Sequence, residues 1–251
     1  MSWKRSRSVV TLVLAFVAGA TAFAQRGGYS GNTSSYSGNV RYDGRFVFVR
    51  MSYPSGFRGG ARWAHDYPRG EEHFLKIFDE VTAVPMHTAE SSVMSWSDPE
   101  LFKFPVAYMV EPGYWSMTEQ DVKQLREYLL KGGFLILDDF REQDFANLDL
   151  QVSRAFPEGR WVELDATSPV FHSFYEIDSL DVVPQAYDVG RPRFRGMYED
   201  NDPTKRLMIV AAGNTDLSEF WEWSDTGYAP IEANNEAYKV GINLFMYGIT
   251  H

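Results

Sequence analysis

The chain reads as an α/β protein: a single doubly wound, mostly parallel sheet flanked by helices. Three observations predict this. Short apolar runs of strand length alternate with longer segments of helical period. One strand–helix–strand unit is legible end to end between Val106 and Asp139. Its two strands read as buried apolar runs, and each stops at an acidic residue.

The elements follow in order. Phe46–Met51 (FVFVRM) is the first strand, fed by Gly44. Tyr53–Tyr67 is a long loop rich in Gly, Arg and aromatics, and long loops in compact domains are often functional. Pro68 suits a helix start, and Phe74, Leu75, Phe78 and Val81 give that helix its inner face. Thr82–Met86 is read as the second strand, and Ser91–Pro105 as a connector with a turn at Asp98-Pro99. Val106–Val110 is the third strand. Thr118 caps the next helix with Asp121 as its capping-box partner, and Val122, Leu125 and Leu129 form one apolar face. Gly132 and Gly133 end it, because glycine takes the left-handed conformation cheaply.

Phe134–Leu137 is the fourth strand. Phe145, Leu148 and Val152 line a helix after Arg141, and Trp161–Leu164 is a further strand. Ser168–Val183 is irregular. Asp188–Asp202, with the arginines around Arg191–Arg195, is read as a surface excursion. Leu207–Ala211 is the last strand. Ala233–Tyr247 is the closing helix, with Val240, Leu244 and Tyr247 inward.

The N-terminal residues lie apart from this pattern. Lys4, Arg5 and Arg7 precede the apolar run Val9–Ala20, and Ala22-Phe-Ala24 is an A-x-A cleavage site. Residues 1–24 are therefore expected to be a signal peptide, too short in its apolar part for a membrane span of about 20 residues. No cysteine follows to receive a lipid. Residues 25–44, rich in Gly and Ser, are expected to be a flexible linker, and residues 45–251 the folded domain. The chain is thus expected to be exported to the periplasm or secreted, without a stable span after cleavage.

The block Glu111-Pro-Gly-Tyr-Trp115 with Gly132-Gly-Phe-Leu-Ile-Leu-Asp-Asp-Phe140 resembles the DUF4159 family, a bacterial domain of unknown function. Phe46–Arg50, Trp63-Ala-His-Asp-Tyr-Pro68, Asn214-Thr-Asp216 with Trp221-Glu222, and Gly241-Ile-Asn-Leu244 fit the same pattern. The resemblance implies a flavodoxin-like sheet similar to class I glutamine amidotransferases. It implies no established activity.

Composition removes several functions. The chain holds 24 basic and 34 acidic residues; losing Lys4, Arg5 and Arg7 leaves 21 against 34, a net charge of −13. Such a surface repels phosphate backbones and anionic lipid, so nucleic acid is not expected as a partner. There is no cysteine, which excludes thiol-based amidotransferase chemistry and thiolate zinc sites. No G-x-S-x-G elbow offers a serine instead.

What remains is a crevice. A right-handed βαβ crossover brings both strand C-termini to one sheet edge, where open α/β sheets bind ligands. Glu111, Asp138 and Asp139 are expected there. Carboxylates so placed suit a divalent cation such as Mg²⁺ or Ca²⁺, or acid/base work on a glycosidic bond. The competing reading makes Asp138 or Asp139 a helix cap. Tyr114 and Trp115 would supply an aromatic shelf for a carbohydrate, unless Trp115 packs as core. His65 and Asp66 are candidates for a base or a metal ligand, against a plain surface histidine. Asn214, Asp216, Trp221 and Glu222 follow the last strand at the same edge, and Asn and Asp there also form turns.

The absent nucleophile and the tether favour a non-catalytic binding or assembly module of the cell envelope, with envelope proteins or a carbohydrate as partner. The alternative is an exported carbohydrate-active or metal-assisted hydrolase using the strand-end carboxylates.

Overall fold

In the computed structural model, residues 38–55, 61–181, 183 and 190–251 are described. The expected signal peptide and most of the expected linker lie outside them. The linker's last residues are held against the sheet edge: Val40 N donates to Ser92 Oγ and Val93 N to Asn39 Oδ1.

Seven strands form one sheet: β1 Val49–Met51, β2 Ser92–Met94, β3 Val106–Val110, β4 Phe134–Phe140, β5 Trp161–Leu164, β6 Arg193–Tyr198 and β7 Leu207–Gly213. Their order is β2-β1-β3-β4-β7-β6-β5. The first five in space are parallel, and β6 and β5 extend the sheet antiparallel. The parallel part has the flavodoxin-like order 2-1-3-4-5. β3, β4 and β7 are buried along their whole length and are apolar up to the last residues of β4, as strands covered on both faces should be.

Among the described residues, five α-helices flank the sheet: α1 Arg69–Val81, α2 Glu119–Leu130, α3 Phe145–Ala155, α4 Leu217–Glu222 and α5 Ile231–Thr250. The strands pleat, so alternate residues enter opposite layers. Phe48, Tyr108 and Ile136 pack with Phe74 and Phe78 of α1 and Leu244 and Phe245 of α5. Val49, Met109 and Leu137 pack with Leu125 and Leu129 of α2 and Leu148 and Val152 of α3. No helix among the described residues is long and apolar enough to cross a membrane.

Several local signals act as their chemistry dictates. Thr118 Oγ1 accepts from Asp121 N at 3.2 Å, and Asp121 Oδ2 accepts from Thr118 N at 2.9 Å. At the other end of α2, Gly132 takes φ 107°. Gly132 N then donates to Leu129 O and Gly133 N to Tyr128 O, which closes the helix in a Schellman motif.

Three expectations are corrected. Thr82–Met86 is not a strand; it makes a single bridge, Met86 with Phe46. Pro85 inside that run has no N–H to give a ladder. The second strand is Ser92–Met94, inside the span read as a connector and too short to show a period. Asp188–Asp202 is not simply an excursion, because Arg193–Tyr198 is β6. Its arginines disguise a strand: Arg195 lies over the Phe145 ring at 4.0 Å, and Arg193 and Arg195 both pair with Glu142 and Glu163. Val81 is 38 % exposed and does not join the inner face of α1.

Candidate functional site

The C-terminal ends of β3, β4 and β7 gather at one edge with the loop that follows β1. Four non-glycine residues there have positive φ: Asp66 (62°), Glu111 (48°), Asp139 (52°) and Asn214 (54°). Asp and Asn tolerate the left-handed region, while Glu enters it at a cost on the order of 1–3 kcal/mol. Glu111 is held in it by its neighbours. Glu111 N donates to Asp138 O at 3.1 Å, and Tyr53 Oη donates to Glu111 O at 2.7 Å.

The strand-end acids do not share one role. Asp138 is fully buried and faces inward. Its Oδ2 accepts from Tyr108 Oη at 2.6 Å, Leu217 N at 2.9 Å and Ser218 N at 3.3 Å. It therefore caps α4, the helix after β7 rather than the one after its own strand. Burial pushes its carboxyl up to about 7 against the pull of the Tyr108 hydrogen bond.

Asp139 points the other way, to His65. His65 Nδ1 lies 2.9 Å from Asp139 Oδ2, 3.9 Å from Asp66 Oδ1 and 4.0 Å from Glu111 Oε1. His65, Asp66, Asp139 and Asp216 each offer one potential ligand atom, and these atoms lie within 4.8 Å of one another. Asp66, Glu219 and Glu222 form an adjoining group that shares Asp66. Asp216 is the N-cap of α4, and its Oδ1 accepts from Glu219 N at 3.0 Å and Ser218 Oγ at 3.3 Å.

Acids outnumber bases here, and the titration of the groups reflects it. Burial pushes Glu111 and Glu219 up to about 7 and Glu222 up to about 8; charge on Asp139 adds for Glu111, and charge on Asp66 for the other two. Asp216 is raised well above the carboxylate range by burial, then by Asp139 and Asp66. Burial alone would lower His65. The Asp139 hydrogen bond and the charges of Asp66, Asp139 and Glu111 outweigh it and lift the imidazole to about 10.

Beside this group opens a cleft of about 270 Å³, lined by Arg62, Glu111, Tyr114, Asp139, Arg141 and Asp144 among others. Arg62 Nη1 donates to Glu111 Oε1 at 3.2 Å, and its guanidinium lies 4.5 Å above the Tyr114 ring.

The structure thus brings together His65, Asp66, Glu111, Tyr114, Asp139 and Asp216. Four expected residues stand elsewhere. Trp115 is 1 % exposed and packs against Trp96, so it forms no aromatic shelf. Asp138 lies beneath the site as a cap and contributes nothing to the cation group. Asn214 ties loops together, its Oδ1 accepting from Glu142 N and its Nδ2 donating to Arg191 O. Trp221 is core as well.

Arg62, Ser218 and Glu219 escaped the sequence reading. A signal existed for Glu219: Asp216-x-x-Glu219 is a capping pattern, and Glu222 three residues further shares its helix face.

The class is therefore a flavodoxin-like α/β protein with an acidic crevice at its strand C-termini. The chain matches the family described as "Domain of unknown function (DUF4159)" over residues 45–249, and it belongs to that family. No curated protein matches it.

Proposed function

We propose that the protein is exported and serves the cell envelope as a non-catalytic binding module, its crevice taking a small polyhydroxylated ligand such as the end of a glycan. One observation carries this reading. The cleft pairs acceptors (Glu111, Asp139, Asp144) with donors (Arg62, Arg141) around the half-exposed Tyr114 ring. Sugars are held by that combination, their hydroxyls on charged groups and their C–H faces on a ring. The lack of any cysteine leaves no thiol nucleophile of the kind amidotransferases use.

A second reading, a hydrolase, is favoured by Glu111 alone. Its carboxyl, raised to about 7 at the cleft wall, is poised to give or take a proton near neutral pH.

Binding and turnover of a panel of glycans and peptidoglycan fragments test the two readings. The binding reading expects a ligand whose affinity falls at least tenfold in Tyr114→Ala and Arg62→Ala, with no turnover. Turnover that vanishes in Glu111→Gln would replace it with the hydrolase. Export is checked by an alkaline phosphatase fusion to the C-terminus, which should be active only outside the cytoplasm.

A further inference from the structure

We infer that His65, Asp66, Asp139 and Asp216 bind one first-row divalent cation, Mn²⁺ or Zn²⁺ in preference to Mg²⁺ or Ca²⁺. The site goes beyond the glycan-binding reading and shares one residue, Asp139, with the cleft.

Geometry is the first support. Bonds of about 2.1 Å put neighbouring ligands about 3 Å apart and opposite ones about 4.2 Å apart. His65 Nδ1 lies 2.9 Å from Asp139 Oδ2 and 3.9 Å from Asp66 Oδ1, inside those limits, while the whole set lies within 4.8 Å, so its side chains close in slightly around a bound ion. The four side chains come from three separate segments, so the fold converges on this point.

An independent observation concerns one atom. The Asp66 side chain is wholly enclosed. Its Oδ2 accepts from Ser218 Oγ at 2.6 Å, while its Oδ1 is buried and meets no hydrogen-bond donor. A buried acceptor left so costs roughly 1–3 kcal/mol, more when charged. Oδ1 faces His65 Nδ1, and the nearby groups are Glu219 and Glu222, which are carboxyls themselves. A cation would satisfy Oδ1 without requiring either of those carboxyls to be protonated.

The donor set selects the ion. Three carboxylates with one imidazole suit Mn²⁺ or Zn²⁺, whereas Mg²⁺ and Ca²⁺ prefer oxygen alone. Two ligands are also held by backbone: Asp66 and Asp139 sit in the left-handed region, which fixes where their short side chains reach. A proton shared between Asp66 and Glu222 is the competing way to satisfy the site, and the experiment separates the two.

The untagged full chain is stripped with EDTA, dialysed, and equilibrated in turn with Mn²⁺, Zn²⁺, Mg²⁺ and Ca²⁺. Bound metal is measured by mass spectrometry, and the melting temperature is followed alongside. The expected result is one Mn²⁺ or Zn²⁺ per chain with a raised melting temperature, and affinity at least tenfold lower in Asp66→Asn and in His65→Gln. Asparagine keeps the left-handed preference at position 66, so Asp66→Asn should melt no lower than the unsubstituted chain in EDTA. His65→Gln removes a ligand without touching that backbone. No retained ion would overturn the inference in favour of the shared proton. Equal binding by both variants, or binding of Mg²⁺ or Ca²⁺ that ignores His65→Gln, would overturn it too.

Discussion

Arg50 and Glu71 form an ion pair with no solvent access beneath the crevice, Nε to Oε1 at 2.5 Å. Arg50 lies on β1 and Glu71 in the first turn of α1, so the pair joins the strand to the helix that follows the His65 loop. The guanidinium also lies 5.0 Å from the Tyr108 ring centroid, and Tyr108 in turn holds Asp138. Removing one partner leaves a buried charge uncompensated, at a cost of about 3–5 kcal/mol. Glu71→Leu is therefore expected to lower the melting temperature by roughly 10 °C, at about 2–4 °C per kcal/mol for a chain of this size. The double variant Arg50→Met/Glu71→Leu should recover most of that loss, because an apolar pair replaces an ionic one. A double variant no better than the single would show that the pair contributes more than mutual neutralisation.

Stability of the cation-free protein should fall as pH rises from 5 to 10. Glu111, Asp138 and Glu219 titrate at about 7 and Glu222 at about 8 in the folded chain, above their ordinary values of 4.5, 3.8, 4.5 and 4.5. The unfolded chain ionises them first, from near pH 4. Between there and pH 8 the folded state holds more protons, so rising pH favours unfolding. His65 acts in the same direction. Its folded value of about 10 exceeds 6.5, so its stabilisation is complete below 6.5 and is lost by about 10. Melting in EDTA should thus be higher at pH 5.5 than at pH 8. A flat or rising profile would show that these acids are better solvated than their burial implies.

The layered fold is legible because its signals are local. The Thr118 capping box, the Gly132 terminator and the buried runs of β3 and β4 depend on residues near in sequence. β2 and β6 are not legible for physical reasons. Three residues cannot display a period, and β6 carries two arginines, of which Arg195 is buried only because Glu142, Glu163 and Phe145 arrive from elsewhere. At the site, strand-end position correctly brings Glu111, Asp139 and Asp216 to one edge. It cannot tell Asp138 from Asp139, because the strand breaks its regular backbone at Asp139 (φ 52°) and only the placement of α4 decides which becomes a cap. Likewise Tyr114 and Trp115 part company at the end of one 3₁₀ turn, the first to the cleft and the second to Trp96.

That separation is testable at Trp115. Its ring is buried with Trp96 and lies away from the cleft lining. Trp115→Ala empties a core position and should destabilise the fold by about 3–5 kcal/mol. Ligand affinity, measured at a temperature where the variant is still folded, should stay within twofold of the unsubstituted chain. Tyr114→Ala should do the opposite, leaving melting nearly unchanged and weakening the ligand. Equal loss of affinity in both would restore Trp115 to the binding surface.

Gly241 owes its place to packing. It lies within α5, where glycine costs roughly 1 kcal/mol of helix stability relative to alanine. Propensity alone therefore predicts that Gly241→Ala stabilises the protein. Packing predicts the reverse. A Cβ at 241 would stand 2.4 Å from Trp221 Cζ2 and 3.0 Å from Phe74 Cε2, both on rigid buried rings. Relieving that clash must move α4, and overpacking of this kind costs about 1–3 kcal/mol. The closer contact is with α4, and α4 carries Asp216, Glu219 and Glu222 at its start and along its face. Gly241→Ala should thus lower the melting temperature, and the loss should be reduced in Gly241→Ala/Trp221→Phe, where the smaller ring makes room. A stabilised single variant would mean that α4 shifts freely, and its acids would then be less fixed than their hydrogen bonds imply.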